Sequence, residues 1–160
     1  MLDHASKIKV SKEEYGKMIL DDIGAMNSKM SLLMQYFYSS IIIEDKLPKI
    51  SQLFDQIVEI EANHLKILMK LALKLQVDPR LWTYQNDQCS YWSPAYLNYP
   101  RHINQILTTL IKQTANEIDK YVKQMTIIDD ASIKAILNQM ISDEKNNLNC
   151  LKKWEAKLAS

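Results

Sequence analysis

Glu61 and His64 stand three residues apart in the stretch EIEANHLKIL, residues 59–68. On a helix that spacing sets a carboxylate and an imidazole on one face. Helix bundles hold metal ions with pairs of this kind projecting inward. A single pair is half of such a site. Whether it does chemistry depends on a second half and on the elements that would bring the two together.

Four helical patterns supply those elements, with boundaries near 11–45, 48–77, 102–128 and 131–158. The first opens at SKEE, where Ser11 reads as an N-cap followed by first-turn acids. Its expected inward stripe is Ile19, Ile23, Met26, Met30, Leu33, Phe37 and Ile41. The second begins at Pro48 and ends near Val77, before the breaker VDP. The third buries Ile111, Ala115, Ile118, Val122 and Met125, and the fourth runs from Ile133 to Trp154 on its inward side. Residues 78–101 lack a helical period and hold two of the three tryptophans and three of the four prolines. They read as a long connection whose aromatics pack along the bundle. Two short loops and one long crossover predict an all-α, antiparallel four-helix bundle of the single-crossover type, in one domain spanning 1–160.

The two hairpins repeat each other. Tyr36 precedes IIIED and Tyr121 precedes TIIDD, and in each half nine residues separate the tyrosine from the closing aspartate, Asp45 or Asp130. Further on, Glu61 falls opposite Glu144, Ile57 opposite Met140 and Leu65 opposite Leu148, after a two-residue slip in the short loop. A pseudo-twofold axis would then set equivalent residues face to face at the bundle centre. The counterpart of Glu61-x-x-His64 is Glu144-x-x-Asn147, which keeps the glutamate and lacks the histidine.

Di-iron and di-manganese bundles use one glutamate from each of two helices and a Glu-x-x-His pair from each of the other two. The stretches SKMSLLMQYFYSSIIIED, VEIEANHLKILMKLALKLQVDPRLW and YWSPAYLNYP resemble the ferritin-like, rubrerythrin-related family of small bacterial four-helix proteins, the third being similar to its clostridial-type members. The resemblance covers nearly the whole chain. It implies a glutamate seven residues before each tyrosine, yet those positions hold Lys29 and Thr114, and Asn147 stands where a second histidine is implied. Three ligand positions, Glu61, His64 and Glu144, are kept.

Lys29 lies on the expected inward stripe, so it should meet Glu61 and Glu144. A buried ammonium needs paired carboxylates. One lysine and a protonated His64 would balance two glutamates without a metal. The expectation is therefore a bundle that has lost its di-metal centre, with no catalytic residue, no cofactor and a binding or structural role. One alternative keeps a single iron, manganese or zinc ion at Glu61, His64 and Glu144. Another is an active di-metal oxidase, peroxidase or catalase, as the resemblance implies, with Tyr36 and Tyr121 beside the metals.

The bulk composition excludes other classes. A net charge of +1 and a pI near 7.7 give no electrostatic basis for nucleic-acid binding. The N-terminal stretch is polar, and no apolar run reaches the ~18 residues of a membrane span. Cys89 and Cys150 fit free thiols of a reducing cytoplasm. His4 and His102 fall outside the repeat, and His102 is expected on the surface. The eight methionines read as core filling. The resemblance implies a homodimer, for which the Tyr/Trp-rich crossover is a candidate surface.

Overall fold

A computed structural model describes residues 10–160. His4 lies outside them. The helices are α1 (Lys12–Gly24), α2 (Lys29–Ile43), α3 (Pro48–Lys74), α4 (Ile103–Ile127) and α5 (Ala131–Ala159). α1 and α2 in series pack on α3, α4 packs on α5, and the hairpins meet through α2 with α4 and α3 with α5. This is the four-helix bundle with one crossover that the periodicity predicts. Among the described residues no helix is long and apolar enough to cross a membrane.

The first helix differs from its predicted form. A continuous helix over 11–45 is expected, but the chain breaks at residues 25–28. α1 has the Ser11–Glu14 capping box and stops at Gly24, after which Ala25 is extended. Ser28 caps α2 by accepting from the Ser31 amide. The exposed carbonyls are collected from across the bundle, where Lys120 Nζ donates to Asp21 O at 2.8 Å and to Asn27 O at 2.6 Å. At Gly24 an added Cβ would lie 2.8 Å from the Trp82 backbone nitrogen, so the break also brings the crossover against the bundle.

The break resets the helical phase, and the stripe drawn through both pieces is corrected accordingly. Met26, Phe37 and Ile41 are exposed, while Lys29, Leu32, Tyr36 and Ile43 form the buried row. After Lys29, α2 has no charged residue, so its own pattern does not say which apolar side faces the core. On α4, Val122 is exposed, contrary to expectation, whereas Ile118 is buried.

α3 opens with Pro48 at its first turn. It ends at Lys74, short of the expected Val77. Gln76 takes a left-handed φ of 64°, and the amides of Val77 and Gln76 return to the carbonyls of Ala72 and Leu73, a Schellman closure. The crossover contains an antiparallel hairpin, β1 (Trp82–Gln85) with β2 (Gln88–Tyr91). Its two turn residues, Asn86 and Asp87, both have positive φ, as a type I′ turn requires. The connection is fastened to α2: Trp92 Nε1 donates to Ser31 Oγ at 2.9 Å, and Gln35 bonds both the N–H and the C=O of Asn98.

Two apolar clusters fill the bundle. One gathers Ile19, Ile23, Leu68, Ile118, Tyr121, Leu137 and Met140. The other gathers Leu32, Tyr36, Phe54, Ile57, Leu107, Leu110 and Leu151. Between them lies a buried polar layer.

Candidate functional site

The polar layer is built from four helices. α2 contributes Lys29, α3 contributes Glu61 and His64, α4 contributes Thr114 and Glu117, and α5 contributes Glu144 and Asn147, all buried. Lys29 Nζ donates to Glu61 Oε2 at 2.8 Å and to Glu144 Oε1 at 2.6 Å. Glu117 Oε1 lies 3.5 Å from the same nitrogen. The ammonium thus sits among three carboxylates with no exposure to solvent. The Lys29–Glu61–Glu144 arrangement is as the sequence predicts.

The balance of charge differs from the expected two-against-two, because Glu117 is a third carboxylate. Burial alone would push the Lys29 ammonium down, but Glu117, Glu61 and Glu144 together hold it above its ordinary range. Burial drives Glu61 well above the usual carboxylate range, with Lys29 opposing and the neighbouring Glu144 adding to the rise. Burial is the largest single influence on Glu144 and raises it, yet the Lys29 charge and the polar contacts of Glu61, His64 and Lys29 together outweigh burial and hold that carboxyl below the usual range. Glu117 is raised, again chiefly by burial. Burial thus raises Glu61 and Glu117, while Glu144, in the shortest contact with Lys29, is held down.

His64 directs Nε2 to Asp143 Oδ2 at 2.7 Å. Its Nδ1 faces inward, 3.5 Å from Glu144 Oε1, without a hydrogen bond. A carboxylate behind one ring nitrogen and an open second nitrogen is the orientation of a metal-bound histidine. Potential ligand atoms of Glu61, His64 and Glu144 all lie within 4.8 Å of one another.

Thr114 and Asn147 also face the layer. The Thr114 hydroxyl lies 2.9 Å from the Tyr36 hydroxyl, and Asn147 Nδ2 is buried without a hydrogen bond. The Tyr121 ring centroid is 5.5 Å from the Lys29 ammonium. Each tyrosine thus reaches the residue seven positions before the other tyrosine, as the pseudo-twofold repeat requires. Burial raises both phenols well above their usual range, so neither supplies a negative charge to the layer. The Tyr121 hydroxyl donates to Glu117 Oε1 at 2.6 Å. His102 is exposed at the start of α4, as expected.

Sequence reasoning missed Glu117, Asp143 and Asp22. Glu117 lies one turn beyond Thr114 and four residues before Tyr121, so the seven-residue spacing passes over it. Asp143 immediately precedes Glu144. Asp22 is buried where α1 meets α4, accepting from Gln124 Nε2 at 2.7 Å and lying 3.4 Å from Lys120 Nζ. Burial pushes it up to about 7 despite that lysine. A carboxyl raised in the folded state stabilises fully below its unfolded value of about 3.9, and the contribution is lost as pH rises to about 7. Asp22→Asn keeps an acceptor for Gln124 and removes the titration. Urea melts should show the variant roughly 1–3 kcal/mol more stable than the parent at pH 8 and matched to it at pH 4.

The layer offers Glu61, His64, Glu117 and Glu144 as potential metal ligands. One imidazole is present, Thr114 and Asn147 occupy implied ligand positions, and an ammonium fills the space between Glu61 and Glu144. The comparisons with known proteins give the context. A family profile described as Rubrerythrin matches residues 33–155. Among solved structures, the chain is similar to KatB, a manganese catalase from Anabaena, at 20% identity and a TM-score of 0.81, covering 99% of this chain and 81% of that one. It is also similar to a Rhodobacter capsulatus bacterioferritin with a metal-free dinuclear site and haem iron, at 16% identity and a TM-score of 0.75, covering 92% and 87%. A dodecameric thioferritin from Bacteroides fragilis follows at 14% identity and a TM-score of 0.72, covering 94% and 89%. At these identities the likeness is one of fold. No curated protein matches the chain.

Proposed function

Given that the chain belongs to the rubrerythrin family, we propose that it is a non-catalytic member in which the Lys29 ammonium takes the place of the metal ions. The observation that carries this reading is the pair of short contacts from Lys29 Nζ to Glu61 and Glu144, 2.8 and 2.6 Å long. Bringing a divalent cation beside that buried ammonium would set like charges together in a low-dielectric interior. The same carboxylates cannot serve both. The bundle then acts as a binding or structural protein, its core tied by an ion network where relatives hold metal. An oxidase, peroxidase or catalase role needs the ligand positions that Lys29, Thr114 and Asn147 occupy. Elemental analysis of protein purified from iron- and manganese-rich medium tests the reading. Substoichiometric metal is the expected result, and two ions per chain would overturn it.

One observation favours a second reading, in which a single iron, manganese or zinc ion binds Glu61, His64 and Glu144. The inward, unbonded His64 Nδ1 and the 4.8 Å cluster are suited to one ion once Lys29 moves aside or gives up its proton. Calorimetric titration with zinc separates the two: one equivalent bound with proton release supports the second reading, and no binding supports the first.

A further inference from the structure

A polar cleft lies beside the interruption of the first helix. Its volume is about 440 Å³, within the range of small-molecule sites. It is lined by residues 26–28, by Tyr96 and Asn98 of the crossover, and by Thr109, Lys112, Gln113 and Asn116 of α4. The α4 residues follow the three- and four-residue spacing of a single helix face. The surroundings are fixed before any ligand arrives. Lys120 Nζ donates to Asn27 O at 2.6 Å, and Asn27 Nδ2 donates to Asn116 O at 3.3 Å. On the crossover side Trp92 Nε1 donates to Ser31 Oγ at 2.9 Å. A recess held in this way loses little freedom when it is filled.

The chemistry of the cleft is one-sided. Among the described residues that line it none is acidic, and Lys112 is the only charged one. Gln113 adds an acceptor whose direction is set by its neighbours. The Asn98 amide donates to Gln35 Oε1 at 3.0 Å, so Gln35 presents its carbonyl oxygen. Gln113 must then turn Nε2 toward that oxygen, at 3.5 Å, which leaves Gln113 Oε1 buried without a hydrogen bond. A buried carbonyl oxygen gains from an incoming N–H or O–H donor. The Lys112 ammonium calls for an anionic group. We propose that the cleft binds a hydroxylated organic anion, a sugar phosphate or a sugar acid. Its acidic group meets Lys112, and one hydroxyl donates to Gln113 Oε1. The neutral amides and hydroxyl of Asn98, Asn116 and Thr109 pair with the remaining hydroxyls. None of these residues belongs to the set Glu61, His64 and Glu144, so the inference stands whether or not the buried layer holds a metal.

Calorimetric titration of the full chain with gluconate, and with glucose phosphorylated on its primary hydroxyl, tests the proposal. Glucose, which lacks the charge, and sulfate, which lacks the hydroxyls, are the comparison probes. At least one of the two hydroxylated anions should bind with a dissociation constant below about 1 mM. Glucose and sulfate should each bind about tenfold or more weakly. Binding of the phosphorylated sugar alone would identify the acidic group as a phosphate, and binding of gluconate alone as a carboxylate. Lys112 is exposed, so Lys112→Gln should fold as the parent does and weaken binding about tenfold or more. Gln113→Leu removes the acceptor and should weaken binding about fivefold. Lys49→Gln, at an exposed lysine of α3, should leave the affinity unchanged. Circular dichroism should show the parent's helical signal in all three variants. No binding of either anion, equal binding of glucose or sulfate, or an affinity undiminished in Lys112→Gln would each overturn the proposal.

Discussion

Lys29→Met should destabilise the protein by roughly 3–5 kcal/mol at pH 8, the usual result of stripping one partner from a buried ion cluster. In a chain of this size that is a fall in melting temperature of about 6–20 °C. Methionine matches the lysine stem in length and fills most of its volume. A cavity therefore contributes little, and the loss measures the charge. Glu61, Glu117 and Glu144 would remain buried with no cation among them. The pH dependence has a definite sign. Without the ammonium, burial acts on all three carboxyls and raises them in the folded state. A carboxyl raised on folding stabilises at low pH and loses that contribution as pH rises through its folded value. The variant should therefore lie near the parent at pH 5 and fall away from it toward pH 8. Thermal melts across that range check the trend. An unchanged melting temperature at pH 8 would show that Lys29 does not hold the layer together.

The same variant separates the two readings of the site. With the ammonium gone, zinc or manganese could occupy the space between Glu61, His64 and Glu144. Metal added to Lys29→Met should then recover much of the lost stability, whereas the parent chain should not respond. A parent chain that gained equally from metal would favour the single-ion reading.

Much of the polar layer was legible because the repeat in the sequence is a repeat in space. The offset between Tyr36 and Tyr121 located Thr114 as the partner of Lys29, and both face the centre, Thr114 through its contact with the Tyr36 hydroxyl. The pairing of Glu61 with Glu144 follows from the same alignment and is realised on one ammonium. Four features were not legible, for physical reasons. Glu117 reaches the layer because a residue one helical turn from an expected ligand position shares its face, and motif spacing ignores such neighbours. The break at residues 25–28 was overridden by an apolar stripe that happens to continue across it. Its local signals, Gly24 followed by Asn27 and Ser28, are those of a helix end and a new cap. The exposed side of α2 was unreadable because periodicity identifies a buried face only by contrast with a polar one. The hairpin in the crossover was missed because its turn is Asn-Asp, without the glycine that commonly marks a type I′ turn.

Restoring the implied ligands makes the strongest demand on the scaffold. Lys29→Glu, Thr114→Glu and Asn147→His together should convert the layer into one that takes up two manganese or iron ions per chain. All three positions are buried and belong to the polar layer, so the new side chains need no change of fold to face one another. The shorter glutamate at position 29 leaves space where the ammonium stood. The apo form of this variant should be much less stable than the parent at neutral pH. Its core would hold the new glutamates together with Glu61, Glu117 and Glu144, and no cation. Metal binding would then be coupled to folding, because only the folded chain presents the ligands together. At 100 to 1,000 times the dissociation constant, metal should return about 3–4 kcal/mol, or about 6–16 °C of melting temperature. Glu117→Gln in the same background should lessen the apo instability while leaving the stoichiometry at two, since Glu117 stands outside the six implied positions. Elemental analysis beside thermal melts reads both quantities. A helical triple variant that takes up no metal would mean that more than these three side chains separates this bundle from a metal-binding one.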